Sequence, residues 1–382
     1  TPLYSSAASD VYKRQDENRV AATPQTVKDL IKSGLTVRVE SGAGEASYIS
    51  DQSYKDVDAE IFPDQNSILK GADIVLKVAP ATRAEIEKIP DNATYVSLCQ
   101  TTRELELVKL LNSKNITGFS MHLIPRTTLA QSMDALSSQA NIAGYKSVLI
   151  GASHLPVYMP LLMTAAGTIP PAKVLILGAG VAGLQAIATA KRLGAQVEAF
   201  DVRPEVKEQV ESLGAKFVEV ESDDDDGVGE GGYAKETSED YKNRQQQKIK
   251  EHIAKSNLVI TTALIPGRPA PLLIPRDMVE GMKPGSAIID LASENGGNCE
   301  LTKMGELIEH NGVKIDGTLN FPASMPIHAS QLYAKNVSTF LTYMIKEGSL
   351  DLNLDDEIIS GAMFTHNGKV THEPTTKALG DQ

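Results

Sequence analysis

The sequence predicts an α/β protein with two domains, each built on a parallel sheet and joined to the other by long helices. Two observations support this fold class. Short apolar stretches alternate with longer stretches of helical periodicity, which is typical of parallel sheets. The chain has 382 residues, enough for two or three domains of roughly 100–200 residues each.

The first domain is predicted over residues 16–135 together with 330–382. Residues 1–15 lack the apolar segment of a secretory signal, so we expect a foreign or disordered tail there. The periodicity predicts helices at residues 22–33 and 104–112, and strands at residues 36–40, 73–78, 94–98 and 116–120.

The second domain is predicted over residues 136–329. Residues 132–150 are small, polar and helix-compatible, and predict a long helix that bridges the two domains. Residues 328–347 predict a second bridge, so that both domains are joined by long helices. Between them we expect a helix at 181–193 and strands at 173–177, 197–200, 258–262, 287–291 and 313–316.

Residues 155–172 carry no charge and are long enough to span a membrane. They also contain four prolines, which would break a lone helix. We therefore expect a loop and a buried helix leading into the next strand, in a soluble protein.

Charge and cysteine content exclude several classes of protein. The net charge of −12 argues against a nucleic-acid partner, because an acidic surface repels phosphate backbones. Cys99 and Cys299 are too far apart in sequence to suggest a disulfide framework or a zinc site. A reduced compartment is expected, and no metal site is predicted.

The strongest local signal is VLILGAGVAGLQA, residues 174–186. Gly178, Gly180 and Gly183 follow a predicted strand and open a predicted helix, the context in which this spacing binds a dinucleotide. Gly178 would permit the tight turn, Gly180 the approach of a pyrophosphate, and Gly183 close helix–strand packing. The sequence thus predicts a Rossmann-like domain; the alternative is a glycine turn without a ligand.

Asp201 ends the next predicted strand. Its carboxylate can accept hydrogen bonds from ribose hydroxyls and would repel a 2′-phosphate, which favours NAD over NADP. Arg203 lies close enough to weaken that preference.

Residues 222–241 combine a run of aspartates with a run of glycines, a composition that cannot pack a core. One interpretation is a solvated surface loop. The other is a mobile lid that closes over a bound ligand, with Tyr233 as its apolar anchor.

A third candidate is the segment PRTTLAQSMDALSSQA, which contains Arg126, Gln131, Asp134 and Ser137. Asp134 and Ser137 would share one helical face, with Gln131 close by. Ordinary helix capping with a salt bridge explains this pattern without a functional site.

Four other charged or titratable residues are weaker candidates. Arg19 and Lys77 could bind an anion, although such side chains are more often solvated. His122 and His154 have apolar neighbours in sequence and are expected to be core histidines. No Ser-His-Asp, Cys-His or HExxH constellation stands out.

Together these features resemble the NAD(H)-binding component, domain I, of proton-translocating nicotinamide nucleotide transhydrogenase. The resemblance runs from about residue 17 nearly to the C-terminus. It rests on ENRVAATP, VESGAG, PRTTLAQSMDALSSQANIAGYKSV, ILGAGVAGLQAIATAKRLGA, DVRPEVKEQVESLGAKF, GGYAKE, TTALIPGRPAP and DLASENGGN.

The resemblance implies a homodimer that binds NAD(H) on its second domain and passes hydride to NADP(H) on a partner component. A membrane proton-channel component would hold the protein at the cytoplasmic, inner face of the membrane. The implied catalytic residues are Arg126, Gln131, Asp134 and Ser137. The implied NAD(H)-binding residues are Gly178, Ala179, Gly180, Val181, Gly183, Asp201, Val202, Arg203, Tyr233, Ala263 and Leu264.

Residues 1–15 depart from the family pattern, which normally opens with a short strand. We therefore expect the first domain to lack an edge strand. The segment Thr-Leu-Ala-Gln also stands where a second arginine would be expected before Ala-Gln.

The nearest rival is an alanine dehydrogenase, a relative with the same layout. Arg19 and Lys77 match its substrate-binding positions, but the histidine expected within residues 94–100 is absent. Glu294 stands where its catalytic aspartate would be expected. A second rival is a non-catalytic NAD-sensing or assembly subunit.

Overall fold

The structure, a computed structural model, describes residues 2–5, 17–220, 239–265 and 268–380. The chain divides into two compact units. The first unit comprises Thr1–Gln139 and Pro322–Gln382, and the second comprises Ala140–Phe321. Each unit contains one main sheet in which most neighbouring strands are parallel, which confirms the predicted fold class.

The first unit contains an eight-stranded sheet and the helices of both chain ends. Its elements are β1 (Pro2–Ser5), α1 (Pro24–Lys32), β2 (Thr36–Glu40), α2 (Asp51–Lys55), β3 (Glu60–Phe62), α3 (Gln65–Leu69), β4 (Ile74–Leu76), α4 (Arg83–Lys88), β5 (Thr94–Ser97), α5 (Leu105–Ser113) and β6 (Thr117–Ser120), followed by the start of α6 (Ala135–His154).

The second unit begins within α6 and contains a seven-stranded sheet. Its elements are β7 (Leu162–Thr164), β8 (Gly167–Ile169), β9 (Lys173–Leu177), α7 (Val181–Arg192), β10 (Gln196–Phe200), α8 (Lys207–Ser212), β11 (Lys216–Phe217), α9 (Glu239–Ile253), β12 (Leu258–Thr261), α10 (Arg276–Glu280), β13 (Ala287–Asp290), β14 (Leu307–His310) and β15 (Val313–Asp316).

The chain then returns to the first unit in a turn at Phe321–Ser324, directly before the second predicted long helix. The remaining elements are α11 (Pro326–Met344), β16 (Ile345–Lys346), β17 (Ser349–Leu350), α12 (Glu357–Ala362), β18 (Met363–His366), β19 (Lys369–Val370) and α13 (Glu373–Gly380).

The first sheet has the strand order β19-β18-β6-β5-β4-β1-β2-β3. Ile74 and Leu76 of β4 lie in a core shared with α1 and α11, whereas Val75 lies in a second core shared with α5. This alternation follows from the period of two along a strand. Helices therefore cover both faces of the sheet.

Strand β1 corrects the expectation of a missing edge strand. Residues 2–5 pair in parallel with both β2 and β4, so their place lies inside the sheet and it is filled. The backbone groups of both neighbours need partners there, and a short extended segment can supply them through its own backbone. The rest of the predicted tail lies outside the described residues.

The second sheet has the order β11-β10-β9-β12-β13-β15-β14. Strands β9 and β12 are parallel neighbours although β10 and β11 come between them in the chain. The connections leaving β9 and β12 therefore run to opposite sides of the sheet order. Ligands of open α/β sheets bind at the carboxyl ends of the strands at such a switch point.

The segment at 155–172 differs from its prediction. It contains no helix; β7 and β8 form an antiparallel hairpin that pairs with no other strand among the described residues. Tyr158, Leu161 and Met163 are exposed on it. Nowhere in the described ranges does a helix have the length and apolar character needed to cross a membrane.

Candidate dinucleotide site

The glycine-rich turn connects β9 to α7 at the switch point of the second sheet. Gly178 has φ +104°, which favours glycine, and a Cβ there would lie 2.5 Å from the Thr262 hydroxyl. A Cβ on Gly183 would lie 1.8 Å from the Gly178 carbonyl oxygen, so only glycine allows the helix to pack this closely on the turn.

Gly180 differs from its two neighbours because its local fold does not require glycine. Its φ is −75°, and no described atom outside Gly180 and its two chain neighbours lies within 4 Å of where a Cβ would stand. Helix α7 begins at the next residue. The N–H groups of a first helical turn and the positive end of the helix dipole favour an anion, so the space above Gly180 suits a pyrophosphate.

Asp201 follows β10 and its side chain is almost fully buried. Its Oδ2 accepts a hydrogen bond from the Ala179 N–H at 2.7 Å. Its Oδ1 accepts from the Arg203 N–H at 2.9 Å. Through these bonds the carboxylate is fixed against the middle of the glycine turn, beside the space above Gly180.

The guanidinium of Arg203 closes on the same carboxylate. Its Nε lies 2.9 Å from Oδ1 and its Nη2 lies 2.9 Å from Oδ2 of Asp201. Both carboxylate oxygens of Asp201 are thus engaged by Arg203 in this structure. The Arg203 guanidinium is partly exposed, which leaves it room to move.

The other predicted cofactor contacts in the second unit lie around this turn. Val181 and Leu264 are both exposed apolar side chains, whereas Ala179 is buried. Val202 packs against the core below β9. The backbone N–H of Ala263 lies 3.4 Å from a Cβ position on Gly178, which places the loop after β12 against the glycine turn.

Sequence reasoning missed two residues that fix this loop, Asp290 and Asn298. Both are completely buried. Their only signal is an acidic residue near the end of the predicted strand 287–291 and an asparagine further along the same segment, DLASENGGN. Tyr233 and most of the predicted lid lie outside the described residues, and the last predicted lid residues belong to α9.

The predicted catalytic residues lie in the first unit. Arg126 and Gln131 are exposed, and Gln131 starts a short 3-10 turn ending at Met133. Asp134 precedes α6 and caps it, because its carboxylate accepts from the Ser137 N–H at 2.9 Å and the Ser137 hydroxyl at 2.6 Å. Asp134 and Ser137 thus have the capping role that was the alternative interpretation.

Arg19 and Lys77 are not solvated. Arg19 donates to both carboxylate oxygens of Glu17, at 2.7 and 2.6 Å, and to Gln139 at 2.7 Å. Lys77 forms a buried ion pair with Glu85. Each cation is neutralised by a carboxylate of the same unit, which the sequence interpretation did not anticipate.

Glu85 keeps its charge inside this pair. Burial alone would raise the pKa of its carboxyl group, but the Lys77 ammonium and hydrogen bonds from Lys77 and Thr82 outweigh burial, so the pKa lies below its usual value. The Glu85 carboxylate is therefore ionised at neutral pH.

The two histidines differ from each other. Burial, with help from the nearby Arg103 guanidinium, lowers the pKa of His122 to about 4, as expected for a histidine held neutral in the fold. His154, also expected to be a core histidine, is half-buried, and its Nε2 lies 2.8 Å from Oδ2 of the buried Asp316. The sequence did not indicate this polar partner.

Glu294, the residue at the position compared with a catalytic aspartate, is exposed. Its Oε1 accepts a hydrogen bond from the Asn320 N–H at 2.9 Å. Asn320 has φ +48°, so this bond helps to hold an unusual backbone conformation.

The sheet order, the glycine turn at the switch point and the acidic residue after the next strand define a dinucleotide-binding α/β protein of the Rossmann type. Comparison with known families narrows that class. The N-terminal domain model of the alanine dehydrogenase/PNT family matches residues 13–143, and the C-terminal domain model matches residues 147–373. The chain therefore belongs to this family.

Within the family the chain is 45% identical over 375 residues to the first segment of the NAD(P) transhydrogenase alpha subunit of Rhodospirillum rubrum, covering 95% of this chain and 97% of that protein. The solved structure of transhydrogenase from Sinorhizobium meliloti is 44% identical, with a TM-score of 0.86, and covers 97% of this chain and 100% of that chain. A solved L-alanine dehydrogenase is 25% identical, with a TM-score of 0.83, and covers 100% and 99%. The predicted family resemblance is thus confirmed.

Proposed function

We propose that this chain is the NAD(H)-binding component of a proton-translocating NAD(P) transhydrogenase. Hydride would pass directly between NADH on this chain and NADP⁺ on a partner component. The observation that carries the proposal is the Gly178 turn with Asp201 at the switch point of the second sheet. The 45% identity to a transhydrogenase alpha subunit supports the choice of reaction.

The residues of the second unit would bind NADH, which supplies a hydride from C4 of its nicotinamide when bound. The turn at Gly180 and the start of α7 would hold the pyrophosphate. Asp201 would hold the adenosine ribose after exchanging its Arg203 partner. Ala179, Val181, Val202, Ala263 and Leu264 would form the walls, and Tyr233 would contribute from the lid.

Arg126, Gln131, Asp134 and Ser137 would act at the nicotinamide end. Direct hydride transfer needs no general acid or base; it needs two nicotinamide rings held at reacting distance. Gln131 would orient the ring or its carboxamide, and its exposed side chain is accessible for this. Arg126 and the α6 cap formed by Asp134 and Ser137 would fix the segment that carries Gln131.

The proposed partners are a second copy of this chain, an NADP(H)-binding component and a membrane proton-channel component. The protein would then work at the cytoplasmic face of the membrane. The exposed apolar side chains of the β7–β8 hairpin support the homodimer, because a lone two-stranded hairpin is only marginally stable in water. A second copy would bury them.

Alanine dehydrogenase activity is the alternative. Arg19 and Lys77 correspond to its substrate-binding positions. In this structure Arg19 already forms an ion pair with Glu17, and Lys77 forms one with Glu85. An anionic substrate would have to compete with these carboxylates. We therefore expect no alanine-dependent reduction of NAD⁺ by the purified chain.

Reconstitution tests the proposed function. The chain is mixed with an NADP-binding transhydrogenase component, and hydride transfer from NADH to an NADP⁺ analogue is followed in a single turnover. We expect rapid transfer that Gln131→Asn slows far more than it weakens NADH binding. No transfer from a chain that binds NADH would instead support a sensing or assembly role, and an unchanged rate in Gln131→Asn would remove Gln131 from the reaction.

A further inference from the structure

The side-chain amide of Asn298 holds the loop after β12 through the backbone N–H and the backbone carbonyl of Ala263. Its Oδ1 accepts from the Ala263 N–H at 3.1 Å, and its Nδ2 donates to the Ala263 carbonyl at 2.9 Å. The same Nδ2 donates to the Pro271 carbonyl at 2.8 Å. Asn298 is completely buried, so nothing in solvent can replace these bonds.

Asp290 in turn fixes Asn298. Its Oδ2 accepts from the Asn298 N–H at 2.8 Å, the Cys299 N–H at 3.1 Å and the Thr302 hydroxyl at 2.7 Å. Its Oδ1 accepts from the Thr261 hydroxyl at 2.9 Å and the Ala292 N–H at 3.0 Å. A buried carboxylate with this many donors is held rigidly at the end of β13.

The network continues from Ala263 to the glycine turn. Thr262, the preceding residue, donates from its hydroxyl to the Gly178 carbonyl at 3.0 Å. The position of Ala263 therefore affects how the loop after β12 meets the turn after β9. These are the two strands on either side of the switch point.

We propose that Asn298 is a positioning residue of the dinucleotide site, acting through Ala263 and Thr262. Its hydrogen bonds to Ala263 would keep Ala263 and Leu264 in one conformation beside the ligand. They would also keep the Thr262 hydroxyl within hydrogen-bonding distance of the Gly178 carbonyl. The inference rests on the proposed function, since it requires that NADH binds beside this loop. It adds a residue that touches no ligand but sets the conformation of residues that do.

Asn298→Ala tests the proposal. Removing the amide leaves the N–H and carbonyl of Ala263 without their partners, so residues 262–264 can sample conformations that no longer fit the ligand. We expect NADH to bind about tenfold more weakly, a loss of roughly 1.4 kcal/mol. Amide hydrogen exchange in residues 258–265 should also become faster, measured at a temperature where the variant is folded.

Thr302→Val is the matched control. Thr302 donates to the same oxygen of Asp290 but does not itself hold Ala263, so its loss weakens the network without releasing the loop after β12. We expect lower thermal stability with NADH affinity unchanged. If Asn298→Ala and Thr302→Val lose stability alike and both bind NADH normally, Asn298 has only a structural role and the proposal is wrong.

Asn298→Asp keeps the test decisive if the alanine variant does not fold. The aspartate has nearly the same volume and keeps an acceptor for the Ala263 N–H, but it cannot make both donations to carbonyl oxygens. Weaker NADH binding by this variant supports the proposal, and unchanged binding overturns it. A wild-type chain that binds no NADH would contradict the proposed function itself, which separates the two failures.

Discussion

Asp201 binds the guanidinium of Arg203 with both carboxylate oxygens. In the proposed function, the same carboxylate would accept hydrogen bonds from the ribose and would repel a 2′-phosphate. As long as the carboxylate is present, Arg203 is drawn to it and a phosphate is repelled. Without the carboxylate, the same arginine becomes a potential phosphate ligand.

Asp201→Asn should therefore lower NADH affinity by about tenfold or more and shift preference toward NADPH. The measurement is calorimetric titration of both nucleotides. The double variant Asp201→Asn with Arg203→Ala is the control, since it should lose the gain in NADPH binding. Unchanged NADH affinity in the single variant would show that Asp201 does not hold the ribose.

We expect the buried ion pair between Glu85 and Lys77 to stabilise the folded protein. Replacing Glu85 by glutamine leaves the buried Lys77 ammonium without a counter-charge, which should cost on the order of 3 kcal/mol. Glu87→Gln on the same helix is the control: Glu87 pairs with Arg83 at the surface, and such pairs contribute about 0–1 kcal/mol. Thermal unfolding at neutral pH measures both, and equal losses would contradict the buried pair.

The difference in stability between wild type and Glu85→Gln should depend on pH, because the pKa of Glu85 is lowered in the folded protein. The stabilisation by Glu85 is complete above the unfolded glutamate pKa of about 4.3 and is lost as the pH falls through the lower pKa of the folded state. The gap between wild type and Glu85→Gln should thus persist at mildly acidic pH and shrink below about pH 4.3. A gap that stays constant into strong acid would be inconsistent with a charged Glu85.

The sequence predicted the glycine turn but not the ion pairs that Arg19 and Lys77 form. Gly178 and Gly183 could be identified because their roles depend on local spacing. Arg19 and Lys77 were expected to be solvated, because a sequence does not show that Glu17 and Glu85 reach them in the fold. Asn298 was missed for the same reason, since its partner Ala263 lies on another strand's loop.

At the scale of elements, the β7–β8 hairpin is where sequence and structure differ most. An apolar segment without charges predicts burial within the chain, and the sequence carries no sign that the covering surface could belong to another chain. Strands β2, β9 and β15 have the bounds that the sequence predicted. Short strands such as β3 and β19 give too little periodicity to detect.

The β7–β8 hairpin is the expected contact surface of the proposed homodimer, and a single substitution tests this. Met163→Glu places a charge on the exposed apolar face of both copies, and burying it would be costly. We expect a dimer to become a monomer, measured by light scattering after size-exclusion chromatography. Leu307→Glu, at an exposed apolar position on β14 of the same unit, should leave the dimer intact. A monomeric wild type, or a dimeric Met163→Glu, would contradict this interface.

At the scale of the whole molecule, each unit has its own sheet and its own cores. The chain passes between them twice, at 139/140 inside α6 and at 321/322 before α11. The sequence, with two rounds of strand–helix alternation and two long helical segments, places these crossings at 135/136 and 329/330. It does not predict that residues 2–5 fill a place inside the first sheet, because that pairing uses only backbone groups.

Binding of NADH with its pyrophosphate above Gly180 is tested most directly by Gly180→Ala. The fold should tolerate this methyl group, since φ is −75° and no described atom beyond the two chain neighbours lies within 4 Å of it. Gly281→Ala is the matched control, because its Cβ would make only ordinary contacts at 3.5 Å, away from the site.

The measurement is NADH affinity by calorimetry, together with thermal stability, for wild type and both variants. We expect all three proteins to unfold at nearly the same temperature and only Gly180→Ala to bind NADH more weakly, by about tenfold or more. A folded Gly180→Ala protein with wild-type affinity would contradict this site, because the dinucleotide would then bind elsewhere.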